Sequence, residues 1–158
     1  MFEETSTIKY DLNKHQYYIT DEYLQDNYGF SLGDELEFDN DNDIDKFIKR
    51  ASNVIYSYIY KSNPDMADYK SFMIAKNTEL RDAVANAVGE LLYSISQYGY
   101  DNSSRTGIDS KVQVSFHDLE TAELPVLCID ILRNAGLLWR GSYKTTEDVA
   151  RAKAAKEF

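Results

Sequence analysis

Residues 78–98 constrain the fold more than any other stretch of this sequence. Their apolar side chains recur at steps of three and four, which is the spacing of one face of an α-helix. These side chains are Leu80, Val84, Ala87, Val88, Leu91, Leu92 and Ile95. A stripe of this width has to be covered by other elements, so we expect further helices to pack against it.

Residues 44–60 carry the second strong helical stripe. Asp43 is the expected N-cap of this helix, and the turn signal at residues 62–65 is expected to end it. The pattern between the two helices is ambiguous. Residues 66–77 fit either a short helix or a loop that packs on the helix after it.

A third long helix is predicted over residues 117–135. Its apolar stripe consists of Leu124, Leu127, Cys128, Ile131, Leu132 and Ala135. Pro125 is compatible with the first turn of a helix, so we expect the helix to begin near residue 121 or 123. Gly136 is a natural residue to end it, because glycine adopts the left-handed conformation at low cost.

The N-terminal part combines a weak strand signal with a short helix. Residues 1–18 are interpreted as an arm that holds a short strand, because apolar and polar residues alternate in part of it. Thr20 can cap a helix over residues 20–28, and Gly29 can end that helix. The side chains expected to face inward are Tyr23, Leu24 and Tyr28.

Residues 31–43 are predicted to form a loop rich in acidic residues. Its aspartates at alternate positions are Asp39, Asp41 and Asp43. This spacing matches the first three ligands of an EF-hand calcium loop. However, the sixth position of that motif, which needs glycine, is Ile44, and the twelfth, which needs glutamate, is Arg50. We therefore expect the acids to flank the next helix in water, and we assign no metal ligand.

Residues 111–116 alternate between apolar and polar side chains, which predicts a β-strand after the polar loop of residues 99–109. A single strand needs a partner. We expect this partner to be either the N-terminal arm or a strand of a neighbouring subunit. The sequence thus predicts a mainly α fold, a compact bundle of three long helices and a short N-terminal helix, with one short strand in a loop and extended termini.

Charge and composition favour a protein that acts through contacts. The 158 residues carry a formal net charge of -10, so general affinity for nucleic acid is not expected. Cys128 lies on the apolar stripe of its helix, and His15 and His117 have no catalytic or metal-ligand partner at a suitable spacing. Neither an enzymatic activity nor a cofactor is predicted. No apolar run approaches the roughly 20 residues that span a bilayer.

Three blocks of sequence, taken together, form a pattern that can be compared with known families. The first is ITDEYLQDNYGF with the acidic loop and the helix DIDKFIKRASNVIYSYIY, and the second is the helix of residues 78–98 with the strand KVQVSF. The third is the helix that runs into NAGLLWRGSY. Together they resemble the head–tail connector (adaptor) proteins of tailed bacteriophages. The resemblance covers roughly residues 19–143, and AGLLWRGSY is its most specific element.

The resemblance implies a homo-oligomeric ring at the portal vertex of a virion. About twelve subunits would dock on the portal protein and present a platform to the next, stopper-like protein of the neck or tail. DNA would pass through the lumen without specific binding, because an acidic wall repels it. The protein would be made in the cytoplasm of the host bacterium and would become part of the virion neck, with no membrane partner.

The resemblance also divides the chain and implies contact residues. Residues 1–18 would form the arm, 19–143 the helical connector domain and 144–158 a C-terminal tail or helix. The surfaces expected to meet the portal or a neighbouring subunit are the strand, the turn after the third helix and the basic tail. Their residues are Lys111, Val112, Gln113, Val114, Trp139, Arg140, Gly141, Tyr143, Lys144, Arg151, Lys153, Lys156 and Phe158.

A second function stays open on the basis of charge. Seven acidic residues lie between positions 34 and 45. A small acidic regulatory protein, or one that mimics nucleic acid and blocks a basic surface, would use such a cluster. Asp→Asn changes in the cluster would abolish that function. They would have little effect on an adaptor, because exposed charges contribute little to stability.

Overall fold

The fold is mainly helical, as predicted. The computed structural model describes residues 4–40, 42–62, 69–99 and 112–138, and it describes the side chains of all of these except 69–78. The elements in chain order are β1 (Ile8–Asp11), β2 (Gln16–Ile19), α1 (Asp21–Tyr28), α2 (Leu32–Glu35), β3 (Leu36–Glu37), α3 (Asn42–Ser62), α4 (Tyr69–Tyr98), β4 (Val112–Gln113), α5 (Phe116–Thr121) and α6 (Val126–Asn134). β1 pairs with β2, and β3 pairs with β4.

The central helix, α4, is longer than predicted. It begins at Tyr69, so the described part of the ambiguous stretch is continuous with it and is neither a separate helix nor a loop. All seven apolar side chains of the predicted stripe are at most 2% exposed. At about 1.5 Å per residue, a helix of this length spans about 45 Å. The helices α1, α3 and α6 all pack against it.

The second long helix, α3, confirms the stripe predicted over residues 44–60. Its fully buried apolar side chains are Phe47, Ile48, Ala51, Ile55, Tyr56 and Ile59. The predicted N-cap is wrong, because the helix already begins at Asn42. Asp43 instead lies in the first turn, where a negative charge stabilises the helix dipole. The helix includes Ser62, the first residue of the predicted turn signal, and residues 63–65 of that signal lie outside the described residues.

The predicted third long helix is wrong. Its residues form two short helices, α5 and α6, which residues 122–125 separate. Pro125 explains the break, because proline disfavours helical geometry in the residue before it and has no N–H to donate. It therefore stands just before Val126, the first residue of α6, and not inside the first turn. In the part of the chain that the structure describes, the bundle has two long helices rather than three.

The end of α6 is a glycine-dependent turn, as predicted. Gly136 has a φ of 78°. Its N–H donates to the carbonyl of Arg133, and the N–H of Leu137 donates to the carbonyl of Leu132, both at 3.0 Å. These two bonds define a Schellman motif. The turn directs Leu137 and Leu138 into the core, where they are 1% and 3% exposed.

Residues 8–19 form a hairpin that belongs to the core. β1 and β2 are antiparallel, with Ile8 opposite Ile19 and Tyr10 opposite Tyr17. All four side chains are at most 8% exposed. The strand expected in the arm is thus one of two, and β2 packs on α3 and α4. The segment is not an extended terminus, because its alternating side chains fill the core.

The short helix α1 begins and ends where the sequence predicts. The hydroxyl of Thr20 accepts a hydrogen bond from the N–H of Tyr23, and Gly29, with a φ of 72°, ends the helix. Tyr23 and Leu24 are buried, as expected. Tyr28 is half-buried and lies on the surface of α4.

Residues 31–43, predicted as a loop, contain α2 and β3. The start of α2 is tied to α1 through Asp21. One oxygen of this carboxylate accepts the N–H of Leu32 at 2.9 Å, and the other accepts the hydroxyl of Ser31 at 2.8 Å. An acidic residue of one helix therefore supplies the cap that the next helix lacks.

Candidate interaction surfaces

The strand predicted over residues 111–116 is shorter than expected and has a different partner. β4 contains only Val112 and Gln113, and it pairs in parallel with β3. The N–H of Val114 adds one bond to the carbonyl of Glu37, at 3.3 Å. The N-terminal arm is therefore not its partner within the chain, and pairing with a neighbouring subunit stays a prediction.

The strand ends because the next residue caps a helix. The hydroxyl of Ser115 accepts the backbone N–H three residues ahead at 3.1 Å, which starts α5. Phe116, expected on the strand, is instead the first residue of α5, and its ring lies 5.7 Å from that of Phe47. The Arg50 guanidinium stacks on Phe116 and bonds the Glu120 carboxylate at 2.6 Å. These contacts fix α5 on α3.

At both edges of the β1–β2 hairpin, backbone N–H groups donate hydrogen bonds to side chains. On β1, the hydroxyl of Thr5 and the carboxylate of Glu4 accept bonds from N–H groups at 3.0 and 2.9 Å. On β2, the N–H of Tyr17 donates to the hydroxyl of Tyr56 at 3.1 Å. These N–H groups are therefore not available for pairing with another strand.

Most of the predicted contact residues lie outside the described residues. Of the three that the structure describes, Val112 and Val114 are half-buried and Gln113 is exposed. The ten outside it are Lys111, Trp139, Arg140, Gly141, Tyr143, Lys144, Arg151, Lys153, Lys156 and Phe158. The proposed C-terminal tail or helix of residues 144–158 lies there too, and these contacts stay predictions.

The first turn of α6 exposes apolar side chains. Val126 is 72% exposed and Leu127 is 51% exposed, although Cys128 beside them is fully buried. The sequence pattern wrongly put Leu127 on the buried stripe. The helix instead packs through Cys128, Ile129 and Leu132, a face that turns Leu127 outward. We call Val126 and Leu127 the aliphatic pair.

A second surface consists of the rings of Tyr28, Phe30 and Tyr93, which we call the ring cluster. The centroids of Tyr28 and Phe30 each lie 5.8 Å from that of Tyr93, and they lie 6.4 Å from each other. Tyr28 can approach α4 only because residue 89 is glycine. A Cβ atom at Gly89 would come within 2.5 Å of Cε2 of Tyr28. The glycine inside a strong helical stripe was the one sequence signal for this packing.

Two hydroxyl groups of α1 bond to Asn86 of α4. Tyr23 donates to the side-chain oxygen of Asn86 at 3.3 Å, and Tyr28 donates to its backbone carbonyl at 3.2 Å. Burial raises the pKa of both tyrosines. The charges of Asp82 and then Glu90 raise the pKa of Tyr23 further, and the charge of Glu90 and a hydrogen bond to its carboxylate raise that of Tyr28. Both hydroxyls therefore stay protonated and serve as donors at neutral pH.

An exposed strip of α4 lies between α1 and α6. α1 covers α4 at Gly89, and α6 covers it at Ala87, whose carbonyl accepts the thiol of Cys128 at 3.3 Å. The positions between these contacts follow helical spacing. They are Asn86, Glu90, Tyr93 and Gln97, which we call the α4 strip, and each is at least partly exposed.

The cysteine and the histidines show no arrangement for nucleophilic chemistry in the described ranges. Burial, followed by the charge of Glu90, raises the pKa of the Cys128 thiol to about 12. Such a thiol is protonated and a poor nucleophile. Nδ1 of His15 lies 3.4 Å from the hydroxyl of Tyr10, and His117 is exposed on α5.

Acidic side chains dominate the chain from α1 to the start of α3. Residues 21–45 include ten Asp or Glu and no Lys or Arg. The exposed ones are Glu22, Asp26, Asp34, Glu37, Asp39 and Asp45. Among the residues described, no group of three or more His, Cys, Asp or Glu could hold a metal ion. No described helix is both long and apolar enough to cross a membrane.

Comparisons with protein-family models, with curated proteins and with solved structures each found no match. Function is therefore inferred from the three sequence blocks and from the surfaces described above.

Proposed function

We propose that this chain is a structural protein of the virion neck of a tailed phage. Its subunits form a ring that docks on the portal protein, joins the DNA-filled capsid to the tail and presents a platform to a stopper-like protein. The observation that carries the proposal is the end of α6. There Gly136 turns the chain and two buried leucines anchor it, within AGLLWRGSY, the most specific part of the resemblance. An anchored turn gives the following residues a defined starting point for contact with a partner.

The order of the elements supports the same proposal. The described elements α1, α3, α4, β4 and α6 occur in the order that the resemblance implies, and β1, β2, α2, β3 and α5 occur in addition to them. The charge agrees as well, because a net charge of -10 suits a channel wall along which DNA slides without being held. The aliphatic pair on α6 offers an apolar contact that the core of the subunit does not use.

Binding to a portal ring tests the proposal. Purified protein is mixed with the portal ring of the same phage, and the particles are imaged by electron microscopy. We expect an added ring of density on one end of the portal. The variant Val126→Asp with Leu127→Ser should weaken this binding, whereas Leu12→Ser, which changes a side chain that is 70% exposed elsewhere, should not.

Failure of the wild-type chain to bind its portal would contradict the proposal. A monomer in solution would not, because a ring of head-to-tail contacts can require the portal as its template.

A second candidate is a small acidic regulatory protein or a nucleic-acid mimic. The observation that favours it is the run of ten acids without a basic residue over positions 21–45. Replacing Asp34, Asp39 and Asp45 by Asn separates the two functions. Portal binding should survive the change in the neck protein, whereas a protein that blocks a basic surface should lose its effect.

A further inference from the structure

We propose that the α4 strip and the ring cluster together bind an arginine or lysine side chain from an exposed segment of a partner protein. This inference goes beyond the neck function and does not depend on it. It follows from one carboxylate, three rings and the charges around them.

Glu90 supplies the charge at the centre of the strip. The side chain is partly buried, and it lies on the part of α4 between α1 and α6. Its charge raises the pKa of Tyr23 and Tyr28 on one side and of Cys128 on the other. The carboxylate is also a hydrogen-bond partner of the Tyr28 hydroxyl, so it lies beside the ring cluster. Helical spacing places it between the two flanking helices, where an incoming side chain would meet it.

Glu90 forms none of the ion pairs seen among the described residues. Those pairs are Lys49–Asp45, Arg50–Glu120, Arg81–Asp82 and Arg133–Asp130. A cation beside a carboxylate forms charge-assisted hydrogen bonds, which are stronger than those between neutral groups. Within the described ranges Glu90 has the Tyr28 hydroxyl as a hydrogen-bond partner and pairs with no cation. A carboxylate accepts several hydrogen bonds, so a cation from a partner protein can bind Glu90 as well.

The ring cluster offers the second half of the site. Tyr93 is 37% exposed, and its ring contacts those of Tyr28 and Phe30. A cation within about 6 Å of a ring centroid is attracted by the π electrons. The described residues already show this contact, between Lys49 and the ring of Tyr18 at 4.9 Å and between Arg50 and a phenylalanine.

The surrounding charge selects a basic partner. Glu22 and Asp26 are exposed on α1, the helix that contributes Tyr28, and that helix contains no Lys or Arg. Among the described side chains of α4 the only base is Arg81, which lies on the N-terminal side of the strip and is paired with Asp82 at 2.9 Å. Of the two basic side chains, arginine fits better, because its planar group can stack on a ring and bind a carboxylate through two N–H groups.

A titration with a defined peptide tests the site. The probe is a fluorescein-labelled peptide with three arginines spaced by glycine and serine, and the control peptide carries citrulline in place of arginine. The full-length chain at about 50 mM salt should bind the arginine peptide saturably and should not bind the citrulline peptide. Neutralisation by Glu90→Gln should weaken binding about tenfold, which is the loss of one charge-assisted contact.

Three matched variants distinguish a site from general attraction. Glu37→Gln removes one exposed carboxylate on β3 and should change the affinity less than about twofold, because screened surface charges contribute little. Tyr93→Leu should weaken binding about threefold by removing the ring, and Tyr93→Phe, which keeps it, should not. Thermal unfolding of each variant verifies that it is folded.

Amide chemical shifts of the wild-type chain locate the bound peptide without any variant. Changes should concentrate at the α4 strip and at α1. The proposal is overturned by no binding at about 1 mM peptide, by equal binding of the citrulline peptide, by equal losses in Glu90→Gln and Glu37→Gln, or by shifts centred elsewhere. A chain that binds its portal but fails this titration loses this inference and keeps the neck function.

Discussion

The helices α1 and α6 have nearly the same length and pack on the same long helix, yet their outer faces differ. α1 meets α4 through two hydroxyls and a ring that lies on Gly89, and its outward side chains are polar. α6 meets α4 through Cys128, Ile129 and Leu132, and it leaves the aliphatic pair in water.

The two helices differ in how much of their apolar surface is buried within the subunit. The large apolar side chains of α1 pack within the subunit: Tyr23 and Leu24 belong to the core, and the half-buried Tyr28 packs in the ring cluster. The first turn of α6 carries apolar area that no described neighbour covers. A protein that works by contact is expected to place such area outside its own core.

The largest effect is expected on the α6 side. Leu132→Ala removes a fully buried side chain between α6 and α4, and it should lower the free energy of unfolding by about 3 kcal/mol. Urea denaturation followed by circular dichroism measures this. A loss below about 1 kcal/mol would mean that α6 is not an integral part of the core.

Tyr28→Ala should cost less, about 2 kcal/mol, because this side chain is only half-buried and the ring cluster can partly close over the gap. Tyr28→Phe keeps the ring and removes one exposed hydrogen bond, so its cost should be at most about 1 kcal/mol. The same denaturation experiment measures both variants. A larger loss for Tyr28→Ala than for Leu132→Ala would reverse the comparison of the two sides.

The Cys128 thiol should make stability fall with rising pH. Its pKa is about 12 in the folded chain and 9.0 when unperturbed, so between these values the unfolded chain has lost a proton that the folded chain retains. The contribution is fully present below pH 9 and is lost as the pH rises toward 12, by up to about 1.4 kcal/mol per unit.

The control variant is Cys128→Ala. Its free energy of unfolding is measured over the same pH range, so that the contribution of tyrosine ionisation can be subtracted. The difference in stability between the wild type and this variant should shrink from pH 9 to pH 10.5. A difference that stays constant over this range would mean that the thiol ionises alike in the folded and unfolded chains.

The effect of Gly89→Ala on the free energy of unfolding should change sign when Tyr28 is replaced. In the wild type the new methyl group collides with the ring of Tyr28, and the variant should be less stable by about 1 kcal/mol. In the Tyr28→Ala background the collision is absent, and alanine should stabilise α4 by about 1 kcal/mol through its helix propensity. A double-mutant cycle measures the coupling. Additive effects would contradict the close approach of the ring.

The smallest effect on stability is expected at the aliphatic pair. Val126→Ser should change the free energy of unfolding by less than about 0.5 kcal/mol, because the side chain is already in water. The same variant should weaken portal binding if the pair is a contact surface. A large loss of stability would indicate that the first turn of α6 is covered within the subunit.

Local signals predicted the parts of the fold whose contacts are close in sequence. The α4 stripe, the α3 stripe, the caps of α1 and the turn at Gly136 each follow from periodicity or from a single residue type. The break before α6 was missed, because the apolar pattern continues across Pro125. The Ser115 cap, which lies three residues before Asp118, was missed because the alternating pattern assigned Ser115 and Phe116 to the strand.

Contacts between residues that are far apart in the chain could not be predicted from the sequence. The parallel pairing of Leu36 with Val112 joins two-residue strands that carry almost no pattern of their own. The ring cluster brings Tyr28 against Gly89 and Tyr93, and tyrosine by itself indicates neither burial nor a partner. Of the contact residues implied by the resemblance, only Val112, Gln113 and Val114 fall within the described chain.

The most direct test of the neck function is the particle that forms without this protein. The gene is deleted from the genome that encodes it, and the lysate is examined by electron microscopy, with the wild-type protein supplied in trans as the control. A neck adaptor predicts DNA-filled capsids without tails beside free tails, and joined particles when the protein is restored. Normal numbers of tailed, infectious particles in its absence would contradict the account.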